Sequence, residues 1–387
     1  MERVVVVGAG LAGVATVRAL RGRGYAGAVT VVGDETTDPY DRPPLSKGFL
    51  LGTVAEDALA LVTDQERADW GANWLLGSRA ERLDPGGPAV TLTDGRRLGA
   101  DVVVVATGSG ARRLPELEGA PNAHVLRTLE DARDLRDALA TARSVLVLGG
   151  GFVGCEVAST VRGLGPQVTL VEPAPVLLGR QLGDDLAEVW SALHRAEGTD
   201  VRTGTSAARW HRDAAGRVIG ADLSDGTTVS TDVVVVAVGG VPRTGWLDGS
   251  GLPTDGGLHC DAVGRTCAPG VLGVGDVVLA PDPFTGRRTR VEHWTHALHH
   301  PDAVVAHLLG QPAPTPRAPY VWSEQCGSMI QLAGERREGD SMRVEDGVPG
   351  EGPFTATFHR AGSLVAVLSV DQPREFGRWR RELRPVG

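Results

Sequence analysis

Cysteine is scarce in this chain of 387 residues, and its placement excludes more than its number does. Cys155, Cys260, Cys267 and Cys326 form no CxxC pair, which fits a reducing compartment with buried or incidental thiols. No cysteine precedes Cys155, so neither a redox disulfide nor a peroxidatic thiol is expected beside the N-terminal part of the chain. Long apolar runs are missing too: none approaches the ~18 residues that span a bilayer, and the N-terminus enters a strand with no basic leader. No membrane association and a cytoplasmic location are therefore expected. Basic charge is short, with a net charge of -9 and a pI near 5.6, which argues against nucleic acid or anionic lipid as partners. Lysine is nearly absent: of 39 basic residues only Lys47 is one. Where arginine is used almost everywhere, a sole lysine points to a compact donor that a planar guanidinium cannot replace, or else to chance survival on a solvated loop.

What the chain has in quantity is glycine, arranged twice in one pattern. Val4–Val7 runs into Gly8-Ala9-Gly10-Leu11-Ala12-Gly13, and Val145–Leu148 runs into Gly149-Gly150-Gly151-Phe152-Val153-Gly154. Each reads as a strand, a tight turn and a helix whose N-terminus meets a pyrophosphate. Each has an acidic partner about 20 residues on, where a carboxylate accepts from a ribose hydroxyl: Asp34 or Glu35 for the first, Glu172 for the second. Two dinucleotides are expected.

The length implies two or three domains. A first Rossmann half runs from Glu2 to about Thr107, where a buried strand ends at Thr107-Gly108-Ser109. Arg112–His124 reads as a connection. The grammar repeats from Arg127 to Val241, with a helix at Leu129–Thr141 and a closing strand at Asp232–Val238 before Gly239-Gly240. Val271–Gly275 leads to Asp276 and returns the chain to the first domain. A Pro-rich segment at 311–316 sets off the remainder, in which Ser363–Val370 alternates like a strand. The expected fold is α/β, with two Rossmann-like nucleotide-binding domains and a small α+β C-terminal domain. The boundaries expected are 1–112 with 243–318, 113–242, and 319–387.

VVVVGAGLAG, the loop PYDRPPLSK, VLVLGGGFVGCEVA, LGVGDV, RVEHWT and WSEQ together resemble the FAD-dependent ferredoxin reductases of oxygenase systems, over nearly the whole length. The resemblance implies that Gly8, Gly10, Leu11, Ala12 and Gly13 hold the FAD pyrophosphate. Arg42 and Lys47 would face the flavin, Lys47 near its N5 edge, and Asp276 would bind the ribityl chain. Thr107, Gly108 and Trp294 would line the same pocket, with Trp322 close to the isoalloxazine. Gly149, Gly151, Phe152, Val153, Gly154 and Gly239 would hold NADH or NADPH, with Glu156 near the nicotinamide carboxamide. The implied activity is hydride uptake from NADH onto FAD and delivery of single electrons to a [2Fe–2S] ferredoxin or rubredoxin that serves a P450 or other oxygenase. Lys47, Glu156 and Trp322 are the catalytic candidates. Other readings are a binding or signalling flavoprotein of the apoptosis-inducing-factor type and direct reduction of oxygen or a quinone.

Plainer roles compete for several of these residues: Glu156 as a helix-face carboxylate paired with an arginine, Trp294 and Trp322 as core. His293, His296, His299 and His300 lack a cysteine or carboxylate framework, so no metal site is expected. An acidic ferredoxin needs a local basic patch, for which Arg287, Arg288 and Arg290 are one candidate and Arg374, Arg378, Arg380, Arg381 and Arg384 another. Two departures from the resembled pattern stand out. Pro301 is expected to kink or restart the helix after RVEHWT, and Cys326 stands where an aromatic usually ends the WSDQY motif.

Overall fold

The computed structural model describes residues 1–385. Its two parallel sheets arise from the β-branched runs read in the sequence. The first has five strands in the order Val271–Gly273, Val102–Val105, Arg3–Val7, Ala28–Val32, Asn73–Leu75. The second has the order Asp200–Thr203, Gln167–Glu172, Ser144–Leu148, Val233–Val236, Ala123–Val125. Strands this apolar must be covered on both faces, and they are. Val4, Val6, Val29, Val31, Val102 and Val104 pack in one core, while Val5, Val7, Val32, Val103 and Val105 pack in another on the opposite face. Val145 and Val147 face a different core from Leu146 and Leu148 in the same way. The period of two thus assigns alternate valines to opposite layers.

Helix Leu11–Gly22 follows the first glycine turn and packs against helix Trp294–Leu308, so the returning segment covers the face from which it left. Strand Val271–Gly273 pairs in parallel with Val102–Val105 and so lies at the edge of the first sheet. The expected helix at Leu129–Thr141 runs Leu129–Leu139, opened by a Thr128/Asp131 capping box. Arg112–His124 is more than a connection: strand Ala123–Val125 begins within it and forms an edge of the second sheet. Between the two sheets the chain crosses twice side by side, Ser109–Ala111 pairing antiparallel with Gly240–Pro242.

The last unit is a five-stranded antiparallel sheet ordered Tyr320–Gln325, Ser328–Gly334, Ser363–Val370, Phe354–Arg360, Ser341–Gly347, followed by helix Pro373–Arg380. Ile330, Leu332, Phe354 and Phe358 join the core that also holds Leu45, Phe49, Val157 and Val161. That shared core presses strand Tyr320–Gln325 onto helix Phe152–Leu164 and the loop before Phe49. Helix Trp294–Leu308 runs through Pro301 without restarting. Pro301 donates no bond to the Ala297 carbonyl, and it is buried within the continuous helix.

Candidate active site

The two glycine turns have the same steric construction. Gly8 has φ +120°, and a Cβ there would lie 2.1 Å from the Ala106 carbonyl oxygen at the end of the neighbouring strand; one at Gly13 would lie 1.9 Å from the Gly8 oxygen. Gly149 has φ +103°, with its imagined Cβ 2.4 Å from the Ala237 oxygen, and one at Gly154 would be 1.8 Å from the Gly149 oxygen. No side chain fits either pair. The middle glycine differs, since a Cβ on Gly10 meets nothing within 4 Å. Gly10 opens on a cleft also lined by Leu11, Ala12, Asp34, Glu35, Thr107, Gly108 and Asp276.

Three guanidinium groups converge beside the first turn. Arg42 Nη2 lies 2.7 Å from Glu35 Oε1, Arg127 Nη2 3.1 Å from Asp276 Oδ2, and Arg243 Nη1 2.8 Å from Asp34 Oδ2. Burial raises the Glu35 carboxyl, but the Arg42 charge and bonds from Tyr40 and Arg42 outweigh it and hold the group low. Burial pushes Asp276 up against the opposing pull of Arg127. Tyr40 donates to Glu35 and accepts from the Leu129 amide at 2.8 Å, so the loop at 40–47 is fastened to the helix that opens the second unit. Arg42 reinforces this by donating to the Arg127 carbonyl.

Lys47 and Glu156 meet at the cleft floor. Lys47 Nζ lies 2.8 Å from Glu156 Oε2, with side chains only 16% and 7% exposed. Ser46 Oγ donates to the same oxygen and Ser323 Oγ donates to Oε1 at 2.6 Å. The partner of Glu156 is therefore the lone lysine, not an arginine. Glu156 sits one turn into the helix that starts at the second glycine turn, and Lys47 comes from the loop that follows the first sheet's second strand. Their contact joins the two nucleotide units.

Also in the cleft lining, the Trp294 and Trp322 rings meet edge to face at 5.6 Å, Trp322 stacks on Tyr320 at 5.8 Å, and Trp294 Nε1 donates to Asp41 Oδ1 at 2.7 Å. Both tryptophans line the cleft, as does His293, whose Nδ1 is buried without a hydrogen-bond partner. Burial holds His293 and His296 down to about 4 and His300 to about 3, so all three rings are neutral. His296 stacks on His300 at 4.6 Å, and the Gly275 amide donates to His300 Nδ1 at 3.3 Å. Among the described residues no group of three or more His, Cys, Asp or Glu side chains could hold a metal, and no helix is long and apolar enough to cross a membrane.

At the second turn Glu172 Oε2 accepts from the Gly150 amide at 2.6 Å and Oε1 from Ala174 at 2.8 Å, so the carboxylate is pinned beside the fingerprint. Gly151, Phe152 and Val153 start the helix there, and Gly239 with φ +104° follows the neighbouring strand. Cys155 lies beneath, fully buried and with its thiol pushed well up by burial.

Not every candidate stands where the sequence put it. Of the three arginines before RVEHWT, Arg290 turns inward to Ser109 Oγ at 2.8 Å and Glu292 Oε1 at 2.5 Å, while Arg287 pairs with Glu335 and Arg288 donates to the Cys260 carbonyl. Arg290 is thus largely buried, with its charge paired to Glu292 rather than offered to the surface. Sequence reasoning missed Arg127, Arg243, Tyr40, Asp41 and Ser323 as site residues. Four of these lie in motifs that were read for other members: Tyr40 and Asp41 in PYDRPPLSK, Arg127 before Leu129–Leu139, Ser323 in WSEQ. Arg243 carries no signal of its own.

An opening glycine, three arginines each paired with an acid, and an unpartnered buried imidazole suit a dinucleotide bearing a heteroaromatic ring, and the residues fit the FAD that the resemblance implies. Comparison with known proteins agrees. The profile of the pyridine nucleotide-disulphide oxidoreductase family matches residues 2–300, and that of a reductase C-terminal domain matches residues 320–384. The chain is 35% identical over 378 residues to a probable ferredoxin reductase of Castellaniella defragrans, covering 97% of this chain and 92% of that protein. It is 35% identical to the ferredoxin–NAD(+) reductase component of the p-cumate 2,3-dioxygenase system of Pseudomonas putida, covering 98% and 93%. The solved covalent complex of putidaredoxin reductase with putidaredoxin contains a chain that superposes with a TM-score of 0.95 at 31% identity, over 99% of this chain and 93% of that one.

Proposed function

The chain belongs to the pyridine nucleotide-disulphide oxidoreductase family, and from that membership and the cleft we propose that it is an FAD-dependent NADH:ferredoxin reductase of an oxygenase system. The observation that carries this reading is the Lys47–Glu156 pair, in which a residue of each nucleotide unit closes one cleft. Bound FAD supplies a ring that takes a hydride and releases electrons singly. The chain's own residues position and polarise. Gly8, Gly10 and Gly13 let backbone amides approach the pyrophosphate, with Arg42, Arg127 and Arg243 to balance its charge. Asp34 or Glu35 receives the adenosine ribose, and Asp276 with Thr107 and Gly108 receives the ribityl chain. Lys47 lines the cleft beside Glu156, and its ammonium would offset negative charge on the ring of a bound FAD.

Gly149, Gly151, Phe152, Val153, Gly154 and Gly239 receive NADH, and Glu172 accepts from its 2′-hydroxyl and repels a 2′-phosphate, favouring NADH over NADPH. Glu156 Oε1 spends one lone pair on Ser323 and keeps another for a carboxamide N–H. Trp294 and Trp322 exclude water from the opposite side and form the face towards the electron acceptor. We take 1–112 with 243–318 as the FAD-binding unit, 113–242 as the NADH-binding unit and 319–387 as the interface unit, in a cytoplasmic enzyme whose acceptor is a [2Fe–2S] ferredoxin or a rubredoxin. The decisive experiment is turnover of the FAD-loaded protein with NADH against a panel of ferredoxins and against oxygen alone. Fast reduction of at least one ferredoxin with slow oxygen consumption is expected; equal turnover without any ferredoxin overturns the reading.

A further inference from the structure

A buried run of polar side chains leads from Glu156 away from the cleft. Ser323 Oγ donates to Glu156 Oε1 at 2.6 Å, Gln325 Nε2 donates to Ser323 Oγ at 3.0 Å, His194 Nε2 lies 2.8 Å from Gln325 Oε1, and Cys326 Sγ lies 3.5 Å from His194 Nδ1. Ser323 and His194 are fully buried, and Gln325 is nearly so. Strand alternation places Ser323 and Gln325 on one face, towards the helix that carries Glu156. The hairpin turns at Cys326-Gly327 with φ of 53° and 74°, both positive as in a type I′ turn, and the Cys326 amide donates to Ser159 Oγ of that helix at 2.7 Å. The hairpin end is therefore clamped in register.

Counting protons gives the run a direction. The Glu156 carboxylate only accepts, so the single Ser323 proton goes to it and the Ser323 oxygen is left to accept from the Gln325 amide. The Gln325 carbonyl then faces His194, which requires the proton on His194 Nε2 and leaves Nδ1 bare. Burial keeps the His194 ring neutral and pushes the Cys326 thiol up to about 11, so an S–H is present to face Nδ1. Each bond points towards Glu156, and bonds aligned in one sense polarise one another. The thiol selects a tautomer here and has no redox part.

We propose that His194 and Gln325 are positioning residues for hydride transfer from NADH, locking the Ser323 hydroxyl onto Oε1 of Glu156 and so holding that carboxylate in one rotamer between Lys47 and the nicotinamide carboxamide. The proposal rests on the reading of Glu156 given above, and its test separates the two. In rapid mixing of the FAD-loaded enzyme with NADH, His194→Leu and Gln325→Met should slow flavin reduction about five- to tenfold, the scale of one lost buried hydrogen bond. His194→Gln, whose amide can still donate to Gln325, should recover to within about twofold. With reduced 3-acetylpyridine adenine dinucleotide, which has no carboxamide N–H, variants and parent should differ by less than about twofold, a contrast that general loosening of the fold would not produce. Should His194→Leu fail to fold, Ser323→Ala removes the last link at the cost of one oxygen atom and should show the same loss. Independently of turnover, nitrogen NMR of the imidazole should find His194 as the neutral Nε2–H tautomer. An Nδ1–H tautomer overturns the directed run. Wild-type rates in both His194→Leu and Gln325→Met, with Glu156→Gln slowed, overturn the positioning role alone; a wild-type rate in Glu156→Gln overturns the reading of Glu156 and this proposal with it.

Discussion

At Lys47 a sole ammonium stands 2.8 Å from a carboxylate that takes two further hydroxyl bonds. A guanidinium there would need room for a planar fork with donors aimed elsewhere, whereas an ammonium is a compact point charge. Lys47→Met should therefore slow flavin reduction by NADH by about tenfold to a hundredfold and lower the flavin potential, as loss of one electrostatic stabiliser does. The fold is not indifferent to this change, because Glu156 loses the cation it is paired with in a nearly buried place. Chemical denaturation should show a loss of about 1–3 kcal/mol, of which Lys47→Met/Glu156→Gln recovers a part, although the rate stays low. An unchanged reduction rate in rapid mixing would leave Lys47 a structural partner of Glu156 with no part in hydride uptake. Glu172 tests the second nucleotide in the same manner. Its carboxylate is already held by the Gly150 and Ala174 amides, so its direction is set before any coenzyme arrives. Glu172→Ala should narrow the ratio of kcat/KM for NADH over NADPH by about tenfold, equivalent to about 1.4 kcal/mol. Steady-state kinetics with both coenzymes checks this, and an unchanged ratio removes Glu172 from the discrimination.

At the scale of elements, helix Trp294–Leu308 carries the clearest pH prediction. Its His296 and His300, with His293 just before it, are kept neutral by burial, His296 further disfavouring charge on the other two. An unfolded histidine takes a proton near pH 6.5. Folded, these take one only near pH 4 or 3, so between those values the unfolded chain binds more protons. The stability they allow is complete above about pH 6.5 and is lost progressively as the pH falls towards 4. The Tm should drop between pH 7 and pH 5. His300→Asn keeps an acceptor for the Gly275 amide and should flatten that slope by one proton. A slope of Tm on pH identical to the parent's would show that His300 is already charged in the folded protein. Elements were also the most legible level of the sequence. Ser363–Val370 is a strand with the expected bounds, and the fingerprint strands and helices start where the glycines require. The strand at Ala123–Val125 was not legible, because three residues carry no period of their own and pair only once Val233–Val236 is in place.

The whole molecule must present a positive face although its net charge is -9. With Arg290 paired inward, Arg287 and Arg288 remain exposed, the first at 54%. Charge reversal of Arg287 and Arg288 to glutamate should cut the rate of association with an acidic ferredoxin by about tenfold and flatten its dependence on salt. NADH-driven reduction of a neutral dye should be unaffected, and equal losses with dye and ferredoxin would place the damage in the flavin site. Arg380, over the Tyr320 ring at 4.4 Å, marks the C-terminal cluster as the other surface continuous with the tryptophan rim.

Short-range sterics and periodicity decide what a sequence can declare alone. Here they determined the two glycine turns, the apolar strands of both parallel sheets, the return of Val271–Gly273 to the first sheet, and a lone lysine in a Pro-stiffened loop. They could not determine which acid that lysine meets, that Arg290 faces inward, or that Ser46, Glu156, Ser323 and His194 form one polar run. The long-range bonds of that run join residues 110 to 167 positions apart. Only the shared core under Phe49, Val161 and Phe358 brings them together, because the partner of a buried polar group is chosen by packing rather than by its neighbours in the chain.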